Sequence, residues 1–375
     1  MTTPLAARLA RDIAATGPMT VADYMERCLF DPVDGYYTTA EPFGAKGDFV
    51  TAPEISQMFG ELIGLWAADT WTRLGSPTPF VLAELGPGRG TMMADMLRAT
   101  RIVPGFLAAA RIHLVEASER LREVQRATLS SERIAWKVSL TELPAGPLVL
   151  VANEFFDALP IRQFARTPEG IAERMIGLDG ERLAFGLRPG ARLDEVAQAR
   201  LAAASAGAIL ELCPSGLTMA AEIAARIARD GGAALIVDYG HAGAREPAGG
   251  FGDTLQGLRA HAYDDPLAHP GTADLTAHVD FGALGDAARA VGARAFGPVA
   301  QGLLLERLGL STRAARLKRD ASPETAATIE AAHARLAGPG PDGMGELFKA
   351  LALVHPALDA PAGFAPDEEM GKVAA

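Results

Sequence analysis

One stretch decides the fold of this chain: Phe80-Val81-Leu82-Ala83-Glu84-Leu85-Gly86-Pro87-Gly88-Arg89-Gly90. Its first half is almost continuously apolar, which is typical of a strand that is buried on both faces of a parallel sheet. The glycines and the proline end that strand, and residues 91–97 then have a helical composition. The stretch therefore predicts a strand, a glycine turn and a helix, an arrangement in which a ligand can approach bare backbone at a helix N-terminus.

Two carboxylates narrow the class of ligand. The glycines follow the spacing Gly-x-Gly-x-Gly, whereas a dinucleotide fingerprint reads Gly-x-Gly-x-x-Gly and places a pyrophosphate on the helix N-terminus. Glu84 lies inside the strand end, where a negative charge suits a cationic ligand better than a pyrophosphate. The next strand-like run, residues 110–116, ends in Glu116, where a doubly wound fold would bind the hydroxyl pair of a ribose. An ordinary strand-to-helix connection can also contain glycines, but two carboxylates in register favour a ligand site.

Composition excludes several classes of protein. The 375 residues are 49% hydrophobic, enough for a large core, and the two cysteines, Cys28 and Cys213, indicate neither a disulfide framework nor a four-ligand zinc site. The net charge of −11 argues against nucleic acid as a partner and is compatible with a basic protein substrate. Without a membrane-length apolar run or a signal peptide pattern, the sequence predicts a cytoplasmic protein with no membrane insertion. The oligomeric state stays open, with a homodimer as one option.

Strand-like and helix-like segments alternate after the glycine turn, which predicts a parallel sheet with right-handed crossovers. The fourth strand, residues 147–152, leads into Asn153 and the acidic segment that follows it. Ligands of doubly wound sheets bind outside the carboxyl ends of the strands, so we expect residues 153–157 to share a crevice with the glycine turn. Upstream, the aromatic-containing loop of residues 30–53 is expected to be a lid, and residues 54–73 are expected to form one long helix.

Several stretches together resemble one family. They are Gly47-Asp48-Phe49-Val50-Thr51-Ala52-Pro53-Glu54, the turn at residues 84–90, Asn153-Glu154-Phe155-Phe156-Asp157-Ala158-Leu159-Pro160, Asp238-Tyr239-Gly240, residues 269–280 and residues 344–349. The chain resembles the MidA-like family of class I S-adenosylmethionine-dependent methyltransferases, which is related to the mitochondrial complex I assembly factor that methylates an arginine. The resemblance covers nearly the whole chain.

The resemblance implies a Rossmann-like α/β fold with a mostly parallel seven-stranded sheet, S-adenosylmethionine as cofactor, and an arginine of a partner protein as acceptor, with a respiratory complex I subunit as one candidate. Together with the pattern of helix-like and strand-like segments, the resemblance predicts that the chain has four parts. These are an N-terminal helical cover and lid loop at 1–75, a methyltransferase core at 76–160 and 209–310, an inserted antiparallel subdomain at 161–208, and a C-terminal helix and closing strand at 311–375.

The candidate catalytic residues are Glu154 and Asp157. Paired carboxylates can hold a guanidinium flat through bidentate hydrogen bonds, and the guanidinium loses a proton as the new bond forms. Their spacing would bring both into one crevice if a helix starts there. In the alternative interpretation, Glu154 touches only the cofactor and Asp157 caps the helix.

Further candidates surround this pair. The candidate cofactor-binding residues are Thr51, Glu54, Glu84, Gly86, Pro87, Gly88, Gly90, Glu116 and Asn153, and the candidates for the acceptor cleft are Asp48, Asp238, Tyr239 and His278. Thr51 or Asp48 could instead cap the long helix, and His278 could instead bind backbone groups. The spacing of His261, His269 and His278 matches no metal signature, so no metal site is predicted.

Two functions remain open at this point. One is an enzyme that methylates an arginine on a partner protein, and the other is a cofactor-binding assembly chaperone in which methyl transfer is secondary or lost. An NAD-dependent dehydrogenase is a more distant third function, opposed by Glu84 and by the glycine spacing.

Overall fold

The computed structural model describes residues 3–39, 51–129, 133–245, 250–259, 262–340 and 342–371. The chain divides into two compact units. The first comprises Met1–Phe49, Asp157–Leu217 and Ala242–His278, and the second comprises Val50–Phe156, Thr218–His241 and Val279–Ala375. The four-part division inferred from the sequence stays a prediction. Within the described residues, no helix is both long enough and apolar enough to cross a membrane.

The elements are numbered in chain order. The helices are α1 (Pro4–Thr16), α2 (Val21–Phe30), α3 (Tyr36–Thr39), α4 (Ala52–Ile55), α5 (Gln57–Arg73), α6 (Thr91–Ala99), α7 (Phe106–Ala109), α8 (Glu119–Thr128), α9 (Glu195–Ala203), α10 (Pro214–Asp230), α11 (Phe281–Ala290), α12 (Gln301–Arg307), α13 (Leu310–Lys318) and α14 (Pro323–Ala337). The strands are β1 (Met19–Thr20), β2 (Phe80–Leu85), β3 (Ala110–Val115), β4 (Ile134–Lys137), β5 (Leu148–Asn153), β6 (Arg162–Thr167), β7 (Gly170–Asp179), β8 (Arg182–Pro189), β9 (Ile209–Leu212), β10 (Gly232–His241), β11 (Gln256–Arg259), β12 (Ala262–Asp264), β13 (Asp274–Thr276), β14 (Val279–Asp280), β15 (Arg294–Ala300) and β16 (Phe348–Val354).

The second unit contains the sheet that carries the glycine turn. Its strands follow the order β15-β16-β10-β5-β2-β3-β4, and β14 pairs with β10 outside this path. Strands β10, β5, β2, β3 and β4 run parallel, as the alternating pattern predicts. Strand β16 pairs antiparallel with both β10 and β15. β2 lies between β5 and β3 and is buried along its whole length, in agreement with its apolar sequence.

The predicted α/β class is confirmed and most pairings in this sheet are parallel, but the predicted number of seven strands needs correction. Within the described residues the sheet has eight strands of mixed direction. The apolar pattern of β10 stops at Val237, whereas the strand continues to His241 and its last two residues pair with β14. A two-residue strand such as β14 is too short to show a periodicity in the sequence.

The single long helix expected over residues 54–73 is two helices. Ser56 has an extended backbone with φ −162° and separates α4 from α5. Its hydroxyl accepts a hydrogen bond from the backbone N–H of Met58, so Ser56 acts as the N-cap of α5. Trp66 and Trp71 of α5 are buried in the core of the unit.

The first unit is built on an antiparallel sheet in the order β1-β7-β6-β9, with β8 beside β7. Strands β6, β7 and β8 lie where the sequence predicts short antiparallel strands joined by glycine turns. The N-terminal helices α1 and α2 lie in the part of the chain for which the sequence predicts a helical cover. Their buried residues, among them Leu9 and Tyr24, lie in a core of the first unit that also contains Ile176 of β7.

Candidate active site

The glycine turn between β2 and α6 has a backbone that requires glycine. Gly86, Gly88 and Gly90 all have positive φ, at 57°, 53° and 83°. At Gly86 two features exclude a side chain. The positive φ disfavours every residue except glycine, and an added β-carbon would lie 2.6 Å from Cδ2 of Phe155. The N–H of Gly90 donates to the carbonyl of Pro87 at 2.7 Å, which closes the turn before the helix begins. The predicted strand, turn and helix are therefore present, with bare backbone in the turn.

Glu84 places a buried carboxyl group directly before this turn. The residue is 2% exposed, and its Oε2 has no hydrogen-bond partner among the described residues. Burial raises the pKa of Glu84 to about 8, because the charged form is poorly solvated there. An unpartnered buried oxygen of this kind can serve a cationic or hydrogen-donating ligand group.

Glu116 follows β3 and lies at the neighbouring strand end. Its Oε1 accepts from the N–H of Ser118 at 2.8 Å, and its Oε2 accepts from Nε2 of Gln125 at 3.2 Å. Burial raises the pKa of Glu116, and these hydrogen bonds oppose the rise. The Gln125 amide also donates to the carbonyl of Gly88 at 2.8 Å. The side chain of Gln125 thus connects Glu116, which is predicted to bind the ribose, to the glycine turn.

The segment before α5 contacts the same turn. Oε1 of Glu54 accepts from the hydroxyl of Thr91, the first residue of α6, at 2.5 Å. Thr51 occupies the N-cap position of α4, but its side chain makes no capping hydrogen bond. Helix capping by the Thr51 side chain, which was the alternative to a ligand role, is therefore not observed.

Glu154 follows β5 in an unusual conformation. Its φ is +49°, in the left-handed region that non-glycine residues rarely occupy. Oε1 of Glu154 accepts from the backbone N–H of Ala52 at 3.2 Å and from Nδ2 of Asn153 at 3.0 Å. Two donors from separate segments of the second unit therefore fix the direction of the carboxylate.

Asp238 and Tyr239, predicted for the acceptor cleft, make internal contacts. Oδ2 of Asp238 accepts from the N–H groups of Phe155 and Phe156 at 3.2 and 3.0 Å, and the residue is fully buried. The ring of Tyr239 is 5% exposed and meets Phe348 edge to face at 5.5 Å. These contacts indicate that Asp238 orders the segment after β5 and that Tyr239 belongs to the core.

Asp157 and His278 belong to the first unit. The carbonyl of Asp157 accepts from the N–H of Ala277 at 3.0 Å, and the residue is 6% exposed. The hydroxyl of Tyr37 donates to Asp274 at 3.3 Å, and burial followed by the charges of Asp274 and Asp157 raises the pKa of Tyr37. The N–H of His278 donates to the hydroxyl of Thr254 at 2.8 Å. The helix on which the spacing argument for Asp157 depended is absent, since residues 154–161 contain no helix and lead into β6.

Asp48 and His261 lie outside the described residues. Nδ1 of His269 lies 2.6 Å from Oδ2 of Asp264. No group of three or more histidine, cysteine, aspartate or glutamate residues in the described part of the chain is arranged to hold a metal ion.

Comparison with known proteins identifies the family. Residues 62–299 match a family described as S-adenosyl-L-methionine-dependent methyltransferases. The chain belongs to this family. The resemblance found in the sequence is confirmed, and this methyltransferase uses S-adenosylmethionine as its cofactor. The positive-φ glycines, the unpartnered oxygen of Glu84 and the carboxylate of Glu116 fit such a ligand, which carries a cationic end and a ribose.

Similar proteins extend over most of the methyltransferase. The Mus musculus protein named protein arginine methyltransferase NDUFAF7, mitochondrial, is 40% identical over 338 residues, which cover 83% of this chain and 75% of the relative. The Homo sapiens protein of the same name is 37% identical over 379 residues, covering 94% and 83%. The crystal structure of a candidate methyl transferase from Burkholderia thailandensis, bound to S-adenosylhomocysteine, superposes with a TM-score of 0.82 at 31% identity and covers 98% of this chain and 95% of its own.

These names correct one prediction. Both relatives are named as mitochondrial, which contradicts the prediction of a cytoplasmic protein, and we withdraw that prediction.

Two residues of the methyltransferase site, Gln125 and Phe155, are not among the candidates that the sequence indicates. A signal for the first was present, because Leu121, Gln125 and Leu129 follow one another at the four-residue spacing of a helix face. A polar residue on an otherwise apolar face needs a buried hydrogen-bond partner. The contact between Phe155 and Gly86 had no such signal, since it depends on the packing of two loops.

Proposed function

We propose that this methyltransferase methylates an arginine side chain of a partner protein and that a subunit of respiratory complex I is the candidate partner. The observation that carries the proposal is the conformation of Glu154. A glutamate held at φ +49°, with its carboxylate fixed by Ala52 and Asn153, costs conformational free energy of about 1 to 3 kcal/mol. Strain of this kind is found most often where function requires a particular side-chain direction. The names of the relatives, protein arginine methyltransferases, support the same acceptor class.

The cofactor roles follow from the contacts of the glycine turn. S-adenosylmethionine supplies an electrophilic methyl group. In the proposal, the backbone of Gly86, Pro87, Gly88 and Gly90 lies against the cofactor, and Glu84 serves its cationic end. Glu116 accepts hydrogen bonds from the ribose hydroxyls.

Three further residues support this site. Asn153 directs the Glu154 carboxylate through its amide. Glu54 fixes the start of α6 through Thr91. Thr51, directly before the Ala52 N–H that binds Glu154, is proposed to contact the cofactor.

The acceptor roles are assigned to Glu154 and Asp157. A guanidinium is planar and carries five N–H donors, so a fixed carboxylate can orient it for in-line attack on the methyl group. The carboxylate also stabilises the positive charge until the proton is lost. Asp157 is proposed as the second carboxylate, and Asp48 and His278 as further acceptor contacts.

The test uses purified protein, S-adenosylmethionine with a radiolabelled methyl group, and arginine-containing peptides from complex I subunits. Each peptide is paired with a version in which lysine replaces the arginine. We expect label only on the arginine version, and we expect Glu154→Gln to slow transfer on the order of 100-fold while retaining affinity for S-adenosylhomocysteine. The exposed Glu123→Gln on α8 is the matched control.

Two results would overturn the proposal. Equal labelling of arginine and lysine peptides would exclude guanidinium recognition. Unchanged transfer by Glu154→Gln would exclude a catalytic role for this residue. Unchanged complex I assembly in cells that carry the same variant would favour the chaperone function.

A further inference from the structure

Gln125 is a fully buried polar side chain on α8 that contacts three other elements of the second unit. Its Nε2 donates to the carbonyl of Gly88 at 2.8 Å and to Oε2 of Glu116 at 3.2 Å. Its Oε1 accepts from Nε1 of Trp136 in β4 at 2.9 Å. Each hydrogen on the amide nitrogen and the amide oxygen therefore has a partner.

Trp136 determines which way the amide points. An indole N–H can only donate, so it must face the amide oxygen rather than the amide nitrogen. Both N–H groups of Gln125 are thereby directed toward Glu116 and Gly88. The amide orientation therefore follows from donor and acceptor chemistry.

The contacts leave Glu116 able to accept from a ribose hydroxyl. A carboxylate has about four lone-pair sites on its two oxygens. The N–H of Ser118 and the amide of Gln125 each use one of them, and the backbone N–H of Ala117 is a third donor to this carboxylate. At least one site therefore remains for a ribose hydroxyl.

We propose that Gln125 is a positioning residue that sets the affinity and the ribose selectivity of the cofactor site by orienting Glu116 and by tying it to Gly88. This inference rests on the ribose role of Glu116 given under Proposed function. Because one amide binds both groups, it also fixes the separation between the carboxylate and the glycine turn. A cofactor that contacts both groups finds them already held at a fixed distance, so little conformational entropy is lost on binding.

The test is calorimetric titration of Gln125→Leu with S-adenosylhomocysteine and with its 2′-deoxyribose analogue. Leucine removes both donors and keeps most of the volume. We expect the dissociation constant for S-adenosylhomocysteine to rise on the order of tenfold or more, as for loss of a hydrogen bond to a charged group. In the parent protein the 2′-deoxy analogue should bind more weakly than S-adenosylhomocysteine. In Gln125→Leu this difference in affinity should be much smaller. Gln198→Leu, the same change at an exposed position of α9, is the control and should bind both ligands like the parent.

The pH dependence of binding is an independent readout. The donors from Ser118 and Gln125 and the positive charge of Arg122 lower the pKa of Glu116 against the effect of burial. Removing the Gln125 donors raises that pKa, so acidification should abolish binding of S-adenosylhomocysteine at a higher pH in the variant than in the parent. A variant that only loosened the fold would lose affinity equally for both ligands and at the same pH.

Glu116→Gln separates the two proposals. If this variant keeps the full preference for the ribose over the deoxyribose ligand, the ribose role of Glu116 is wrong. If it loses the preference while Gln125→Leu retains it, only the inference on Gln125 is wrong. Should Gln125→Leu fail to fold, Gln125→Met tests the same point, because it also removes both donors while keeping nearly the length of the side chain. We expect it to reduce the preference, and an unchanged preference would overturn the inference.

Discussion

Glu84→Gln should change how the stability of the protein depends on pH. The carboxyl of Glu84 is 2% exposed, its Oε2 has no hydrogen-bond partner among the described residues, and its pKa is raised from 4.5 to about 8 by burial. Below pH 4.5 the group is protonated in the folded and the unfolded chain alike. As the pH rises from there to about 8, the unfolded chain loses this proton while the folded chain keeps it, so the folded state loses stability. Above about pH 8 both forms are ionised and the loss is complete.

The size of the effect follows from the same values. Each pKa unit corresponds to ~1.4 kcal/mol, so a rise from 4.5 to about 8 corresponds to about 5 kcal/mol of free energy of unfolding. Glutamine has nearly the same shape and cannot ionise, so the variant should not show this loss. The difference between the two proteins isolates Glu84, because every other titrating group is common to both.

The assay is urea unfolding of both proteins, without ligand, at several pH values from about 5 to about 9. The free energy of unfolding of Glu84→Gln, relative to the parent, should grow by several kcal/mol as the pH rises over this range. The exposed Glu123→Gln should show no such trend. A difference that stays constant with pH would refute the reasoning, since it would mean that the carboxyl is solvated or partnered in the folded protein.

Two further substitutions test the scaffold of the site. Gly86→Ala should destabilise the protein by about 1 to 2 kcal/mol for the left-handed backbone and further for the contact with Phe155, and should weaken binding of S-adenosylhomocysteine in calorimetry. Gly75→Ala, at φ +84° with no atom within 4 Å of the added β-carbon, should show only the backbone cost, and equal effects of the two would argue against the contact. Asp238→Asn should lower the free energy of unfolding by about 1 to 3 kcal/mol, because both oxygens of Asp238 accept from backbone N–H groups and an amide keeps only one oxygen, so at least one N–H loses its acceptor. If the variant instead raised the KM for the acceptor and left the stability unchanged, the result would support the predicted role of Asp238 in the acceptor cleft.

The parts of the fold that the sequence predicts correctly are those with local causes. The strand and glycine turn at residues 80–90 follow from an apolar run and the residues that break it. The N-cap of α2 is another such case, because Thr20 and Asp23 form a capping box within four residues. In both cases the decisive residues are neighbours in the chain, so no knowledge of packing is needed.

The role of each candidate residue depends on contacts between distant residues. Asp238 ends a strand at the ligand edge of the sheet, which is where a ligand-binding residue would lie, but the N–H groups of Phe155 and Phe156 occupy its carboxylate. The single long helix predicted over residues 54–73 failed for a local reason instead: Ser56 marks the break between α4 and α5, but serine also occurs within helices. Sequence position locates the candidate site, and packing decides which of its residues remain available to a ligand.

The glycine turn shows why the motif alone does not account for the site. Three side chains from three separate segments hold it: Phe155 lies against Gly86, Gln125 binds the carbonyl of Gly88, and Glu54 binds the hydroxyl of Thr91. A Gly-x-Gly-x-Gly segment without such contacts would be the most flexible part of the chain, and a ligand would have to order it. In this protein much of the conformational entropy of the turn is lost when the chain folds rather than when the ligand binds. The glycines allow the backbone to adopt the required shape, and the surrounding side chains, which the motif does not include, select that shape before the cofactor arrives.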